Sequence, residues 1–222
     1  MGNGLSTNTH PLAFPPLKKD SRKVFQDNSV DDSLNYILND KDKTCKIIGG
    51  NNFSSSVFIP RSVKRNMQDY IITEISERSF SNSFIQTVEF PSNSEVRIIG
   101  KEAFSESLIT KIIIPQHVTE ICEGAFNRCK QLNQVIFSEN SELLKIGKNS
   151  FRLCAIESIN IPSHVTEICE YAFSSCFQMK DIEFSIIQNS KRLVKEHFYV
   201  QRLKISLFFQ MILILKMSGI II

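Results

Sequence analysis

The chain has 222 residues, 42% of them hydrophobic, and its 26 basic and 23 acidic residues leave a formal charge of only +3. One or two cores fit in that length, and a near-balanced charge with a single modest basic cluster, Lys18, Lys19, Arg22 and Lys23, argues against a nucleic-acid partner. Six cysteines are too sparse for a disulfide scaffold and lack the close pairing of a structural zinc site.

Residues 1–33 read as a flexible polar tail, without the charged start and apolar stretch of a secretory signal. The opening Met1-Gly2-Asn3-Gly4-Leu5-Ser6 fits the N-myristoylation pattern at Gly2; a chance match in a flexible tail is the alternative. Residues 34–70 hold Leu34–Leu38 and Thr44–Ile48 around Asn39-Asp40-Lys41-Asp42, which predicts a hairpin cap, followed by a first divergent repeat.

Residues 71–184 repeat. Ile112–Cys129 matches Ile159–Cys176 at an offset of 47 residues, and Phe80, Phe104, Phe126, Phe151 and Phe173 divide that unit into coils of 22 to 25 residues. Five residues before each phenylalanine stands Ile75, Ile99, Ile121, Ile146 or Ile168, then a small residue (Ser76, Gly100, Cys122, Gly147, Cys169). Three residues after it comes Ser83, Ser107, Cys129, Cys154 or Cys176, and then a strand pattern such as Ile109, Ile112, Ile114 or Leu132, Val135, Phe137. One coil cannot bury so apolar a face, so successive coils are expected to stack with parallel strands about 4.8 Å apart and the phenylalanines inside. Coils ending in Ile-Pro alternate with longer ones carrying Ser92–Glu95 or Glu139–Glu142, where the length difference is expected to be absorbed outside the core.

The recurring Ile-Pro, Val, Ile, Ala-Phe and Cys resemble the treponeme-type leucine-rich repeat of the BspA-like surface antigens. The resemblance covers about half of the chain directly, and Val57–Val63 extends it toward the amino terminus. It implies an α/β fold: a right-handed leucine-rich-repeat solenoid with a parallel β-sheet on the concave face and short helical or irregular turns on the convex face. It also implies a cell-surface binding or adhesion protein; without a secretory signal, a cytoplasmic location is the alternative.

Residues 185–222 read as a degenerate terminal repeat, spaced by Leu193 and Phe198, and an apolar tail. The stretch 203–222 approaches a membrane span but carries Lys204, Gln210 and Lys216, and a central lysine costs about 2.5–3.5 kcal/mol on insertion. A membrane anchor, an irregular capping strand pair and a frayed tail all fit. Membrane association through Gly2 or this tail stays open.

No constellation proposes chemistry. His117 and His164 occupy the same repeat position, which marks a scaffold residue, whereas a catalytic base needs a unique partner. Cys129 and Cys154, one coil apart, would have Cα atoms about 5 Å apart, so a disulfide is geometrically allowed; buried free thiols are the alternative. Cys122 and Cys169 lie two coils apart and cannot bridge. No cofactor, metal or small-molecule substrate is expected. The expectation is a non-enzymatic module that binds another protein. Its alternatives are a degenerate or truncated relative with no binding role and an intracellular repeat scaffold. The strand residues between core positions form the column Glu89, Ile113, Ile136, Asn160, Glu183, with Thr110, Lys111, Asn133 and Gln134 rimming the two isoleucines. These nine residues are the candidate contact surface, although β-branched residues also simply favour strands.

Overall fold

The computed structural model describes residues 24–26, 34–51 and 55–185, the first of these as backbone. Strands β1 (Val24–Gln26), β2 (Leu34–Asn39) and β3 (Thr44–Gly50) pair antiparallel in that order. Next come β4 (Ser56–Phe58), β5 (Ser62–Arg65) and β6 (Gln68–Ile75). β5 and β6 form a hairpin across Asn66 and Met67, both at positive φ (47° and 64°), as a turn that follows the right-handed strand twist requires. β3 lies parallel to β6, which brings Leu34, Tyr36, Cys45 and Ile47 over the open end of the first coil.

From there two kinds of strand alternate. Three- and four-residue strands β7 (Thr87–Glu89), β9 (Lys111–Ile114), β11 (Gln134–Phe137), β13 (Ser158–Ile161) and β15 (Asp181–Phe184) join β4 in a six-stranded parallel sheet, order β15-β13-β11-β9-β7-β4. Two-residue strands β8 (Ile98–Ile99), β10 (Glu120–Ile121), β12 (Lys145–Ile146) and β14 (Glu167–Ile168) stack in parallel on β6, in a second sheet that ends in the hairpin. Their register sets Ile75, Ile99, Ile121, Ile146 and Ile168 side by side, the ladder read from spacing.

The third side of each coil is a turn built around the phenylalanine. Phe80, Phe104, Phe126, Phe151 and Phe173 are buried and stacked, with ring centroids 5.1, 5.3, 5.2 and 5.4 Å apart and planes within 10° of parallel. Since the strand pitch is about 4.8 Å, the offset rings are held at almost the spacing the backbone dictates. Backbone donors on this side also cross between coils: the N–H groups of Glu102, Phe104 and Glu106 reach the carbonyls of Glu123, Ala125 and Asn127. Gly124, Phe126 and Arg128 repeat the pattern onto Lys148, Ser150 and Arg152.

Here the expected α/β class needs correcting: the described residues contain no helix, and each convex turn is irregular. The reason is a pair of left-handed residues four apart in every coil: Arg78 and Asn82, Glu102 and Glu106, Gly124 and Arg128, Asn149 and Leu153, Tyr171 and Ser175. A left-handed residue costs roughly 1–2 kcal/mol outside glycine and cannot continue a helix, but it aims alternate N–H groups at the next coil. None of the ten is β-branched, the side-chain class least tolerant of positive φ.

The longer coils take up their extra residues within Ser92–Glu95 and Glu139–Glu142. There Ser94 and Ser141 are buried turn residues, and Val96 and Leu143 fill the same buried column as Val118 and Val165. Pro91–Ser94 and Ser138–Ser141 close with the same backbone hydrogen bond as Pro115–Val118 and Pro162–Val165. The turn is therefore common to all coils, and the added pair Ser94-Glu95 or Ser141-Glu142 precedes a core residue, Val96 or Leu143, that takes the place of Val118 and Val165 in the shorter coils.

Glycine alternates with larger residues in the small-residue column because of close approach. A Cβ on Gly147 would lie 2.6 Å from the Cys122 carbonyl carbon and 2.7 Å from the Ile121 oxygen. Gly100 meets the same obstacle at Ile75 and Ser76. Two outcomes test this packing by chemical denaturation. Phe126→Ala, which breaks the ring column at its centre, is expected to cost about 3–5 kcal/mol. Gly147→Ala should destabilise more than Gly124→Ala, whose Cβ would come closest to the flexible Glu102 Cγ, at 3.1 Å, although Gly124 sits at φ +64°.

Candidate interaction surface

The outward side of the six-stranded sheet is where side chains escape the core, because alternate strand residues point away from it. In β9 the order is exposed, buried, exposed, buried for Lys111, Ile112, Ile113 and Ile114. Register carries Ile113 onto Ile136 and Asn160 onto Glu183, and Lys111 onto Gln134. Ile113 is 48% exposed, while Ile136 is half-buried beside it. Thr110 and Asn133 immediately precede the strands, where the Thr110 carbonyl accepts the N–H groups of Asn133 and Gln134. Glu89, Asn160 and Glu183 are exposed, and with Lys111, Ile113, Gln134 and Ile136 they hold alternate strand positions outside the core, while Thr110 and Asn133 are exposed just before β9 and β11.

Phe58 extends the column and was missed by the spacing argument. It pairs in register with Glu89 and is 46% exposed. The signal was present: Val57-Phe58-Ile59-Pro60 repeats Ile112-Ile113-Ile114-Pro115, which puts Phe58 where Ile113 stands. Beside Ile136 the surface dips into an open hollow of about 600 Å³ bordered by Ser138, Asn160, Pro162, His164 and Ser185. Ser185 Oγ donates to Asn160 Oδ1 at 3.0 Å, which fixes that amide at the edge of the hollow.

The other faces are occupied by their own charges. Glu77, Lys101, Glu123, Lys148 and Glu170 alternate in sign along the turn side, with pairs at 3.3 Å (Lys101 and Glu123) and 3.2 Å (Lys148 and Glu170). On the short-strand side Lys145 sits between Glu120 and Glu167, which hold its ammonium above the usual lysine range. His117 Nδ1 lies 2.9 Å from Glu142 in the next coil, a side-chain pair between neighbouring repeats. Gly2 and residues 203–222 lie outside the described residues.

The six cysteines are free thiols. Cys129, Cys154 and Cys176 donate to the carbonyls of Phe104, Phe126 and Phe151 at 3.0 to 3.1 Å, so each closes a hydrogen bond to the preceding coil. Burial pushes the Cys129 and Cys176 thiols up to about 11 and Cys45 to about 12. Among the described residues no cluster of three or more His, Cys, Asp or Glu is placed to hold a metal, and no helix is long and apolar enough to cross a membrane.

With this geometry in hand, the match to known repeats is decisive: the model of the BspA type leucine rich repeat region fits six copies over residues 37–105 and 97–210. The chain belongs to the BspA-type leucine-rich repeat family. Two solved structures share the fold. A Treponema pallidum leucine-rich repeat protein is 23% identical with a TM-score of 0.62, over 70% of this chain and 71% of its own. The pneumococcal vaccine antigen PcpA is 17% identical with a TM-score of 0.59, over 73% of this chain and 50% of its own. The chain thus spans half the length of the pneumococcal antigen. No protein of curated function matches it in sequence.

The BspA-type cysteine ladder has a pH signature. The thiol pKa values are raised on folding, so their contribution to stability is complete below the unfolded thiol pKa near 8.5. It is lost as pH climbs toward about 11. Unfolding midpoints should accordingly fall between pH 9 and 11, and iodoacetamide at pH 7.5 should label Cys129, Cys154 and Cys176 only after denaturant is added.

Proposed function

We propose that this BspA-type solenoid is a non-enzymatic protein-binding module of the surface-antigen or adhesin kind, and that its contact surface is the outward face of the six-stranded sheet. The observation that carries the reading is the apolar pair of exposed Ile113 and half-buried Ile136 on that face. Thr110, Lys111, Asn133 and Gln134 surround the pair, and Glu89, Asn160 and Glu183 continue its column. An apolar centre with a polar rim is the usual anatomy of a protein contact. A rigid sheet also presents it with little ordering cost. The neighbour's description as a vaccine antigen supports a place on the cell surface. Partnership with protein rather than nucleic acid is supported by the paired charges on the turn and short-strand sides, which leave no basic stripe among the described residues.

The test is site-specific photo-crosslinking in the cell of origin, with a photoreactive residue at position 113 or, on the turn side, at position 130. A discrete protein adduct from position 113 alone is expected. It should vanish in an Ile136→Asp background whose circular dichroism matches the parent. Adducts from position 130 and none from 113 would move the contact surface off this sheet.

A further inference from the structure

We propose that the hollow between β11 and β13 is a ligand site for a neutral pyranose, the hexose unit of a glycan, in addition to the protein partner proposed for the sheet. β9 and β11 pair over four residues, as do β13 and β15, but β11 and β13 are in register only at Gln134 and Ser158. Past that pair the ladder opens, and the hollow of about 600 Å³, a small-ligand volume, lies in the opening. The Ser138–Ser141 turn of a longer coil stands on one side of it and the Pro162–Val165 turn of a shorter coil on the other. β7 and β9 part in the same way beyond Thr87 and Lys111, so the 47-residue unit makes this opening twice. The first unit has Glu89, Pro91, Ser92, Ile113 and Gln116 where the second has Ile136, Ser138, Glu139, Asn160 and Ser163. Both sets fold into the same coil, so the fold does not dictate the second set.

The second set places donors and acceptors between apolar surfaces. Ser185 Oγ donates to Asn160 Oδ1 at 3.0 Å, which leaves both amide hydrogens of Asn160 for a ligand. Ser138 Oγ gives its hydrogen to the Ile114 carbonyl at 2.9 Å and keeps its lone pairs. Glu139 is exposed and has no ion-pair partner among the described residues. His117 Nδ1 meets Glu142 at 2.9 Å, whereas no described residue holds His164, its counterpart beside the hollow. Ile136 and Pro162 supply the aliphatic surface. No lysine or arginine stands among the described residues of the lining, so an anionic ligand finds no ammonium or guanidinium. One carboxylate and one half-buried aromatic, Phe137, make no cage for a cation. A hydroxyl group both donates and accepts. Two neighbouring hydroxyls of a pyranose therefore match this set: one donates to Glu139, the other accepts from Asn160, and the C–H face of the ring lies against Pro162 and Ile136.

The probes are the methyl glycosides of glucose, galactose and mannose, each titrated into the full chain while the imidazole Cε1 proton resonances are followed by NMR. The His164 signal is assigned by its loss in His164→Gln. At least one glycoside is expected to shift His164 saturably in the millimolar range and to leave His117 in place. Asn160→Ile and Glu139→Ser introduce the residues that the first unit carries at those positions, so both are compatible with the coil. Each should weaken that glycoside about tenfold. No saturable shift with any of the three, or unchanged affinity in either variant, overturns the proposal. So does a shift produced by choline chloride or sodium acetate and by none of the glycosides, which would assign the hollow to a charged ligand. Passage of the full chain over immobilised mucin, before and after periodate oxidation, separates two sources of the same chemistry. Retention lost on oxidation supports a glycan, and glycoside binding without retention supports a free sugar. The photo-adduct at position 113 decides the protein contact face independently of either result.

Discussion

Every part of this structure depends on one constraint: a coil of 22 to 25 residues has an apolar face it cannot cover itself, and only another coil of the same pitch can cover it. Once strands are paired in parallel, their pitch is imposed on everything else. The phenylalanine rings stand 5.1 to 5.4 Å apart, thiols reach the carbonyl one coil back, and acids meet bases across single steps. Each contact is modest. An offset ring pair adds about 0.5–1.5 kcal/mol beyond its buried area and an exposed ion pair about 0–1 kcal/mol. Stability comes from their recurrence in register, since every coil that stacks completes several columns at once.

What could be read in the sequence follows from this. Positions inside the coil are constrained in every repeat, so Ile75 to Ile168, the five phenylalanines and the Ser/Cys column were visible from spacing alone and coincide with the register of the sheets. The turn conformation was not visible, because apart from Gly124 the left-handed positions are filled by Arg, Asn, Glu, Leu, Tyr and Ser rather than by a telltale glycine. Backbone hydrogen bonds to the next coil hold those residues in place, and such bonds leave no mark on side-chain identity.

The contact face was only half legible. Outward residues are free of the packing rule, so their columns vary from Phe58 to Glu89 to Ile113, and no periodicity announces which of them matter. Phe58 was overlooked because the β5–β6 hairpin separates it from the regular coils, although its flanking residues carry the repeat. What geometry adds is register, which sets Phe58, Glu89, Ile113, Ile136, Asn160 and Glu183 in one column.

The alternation of glycine with larger residues in the small-residue column bears on how such a protein changes length over evolution. Gly100 and Gly147 sit where the preceding coil's backbone approaches within the reach of a Cβ, while Cys122 and Cys169 occupy the intervening interfaces. Excision of a single coil would bring a Cβ-bearing residue to an interface shaped for hydrogen. Excision or duplication of two coils preserves every interface. The unit of inheritance is then the 47-residue pair, and genes for solenoids of this build should lengthen and shorten by even numbers of coils.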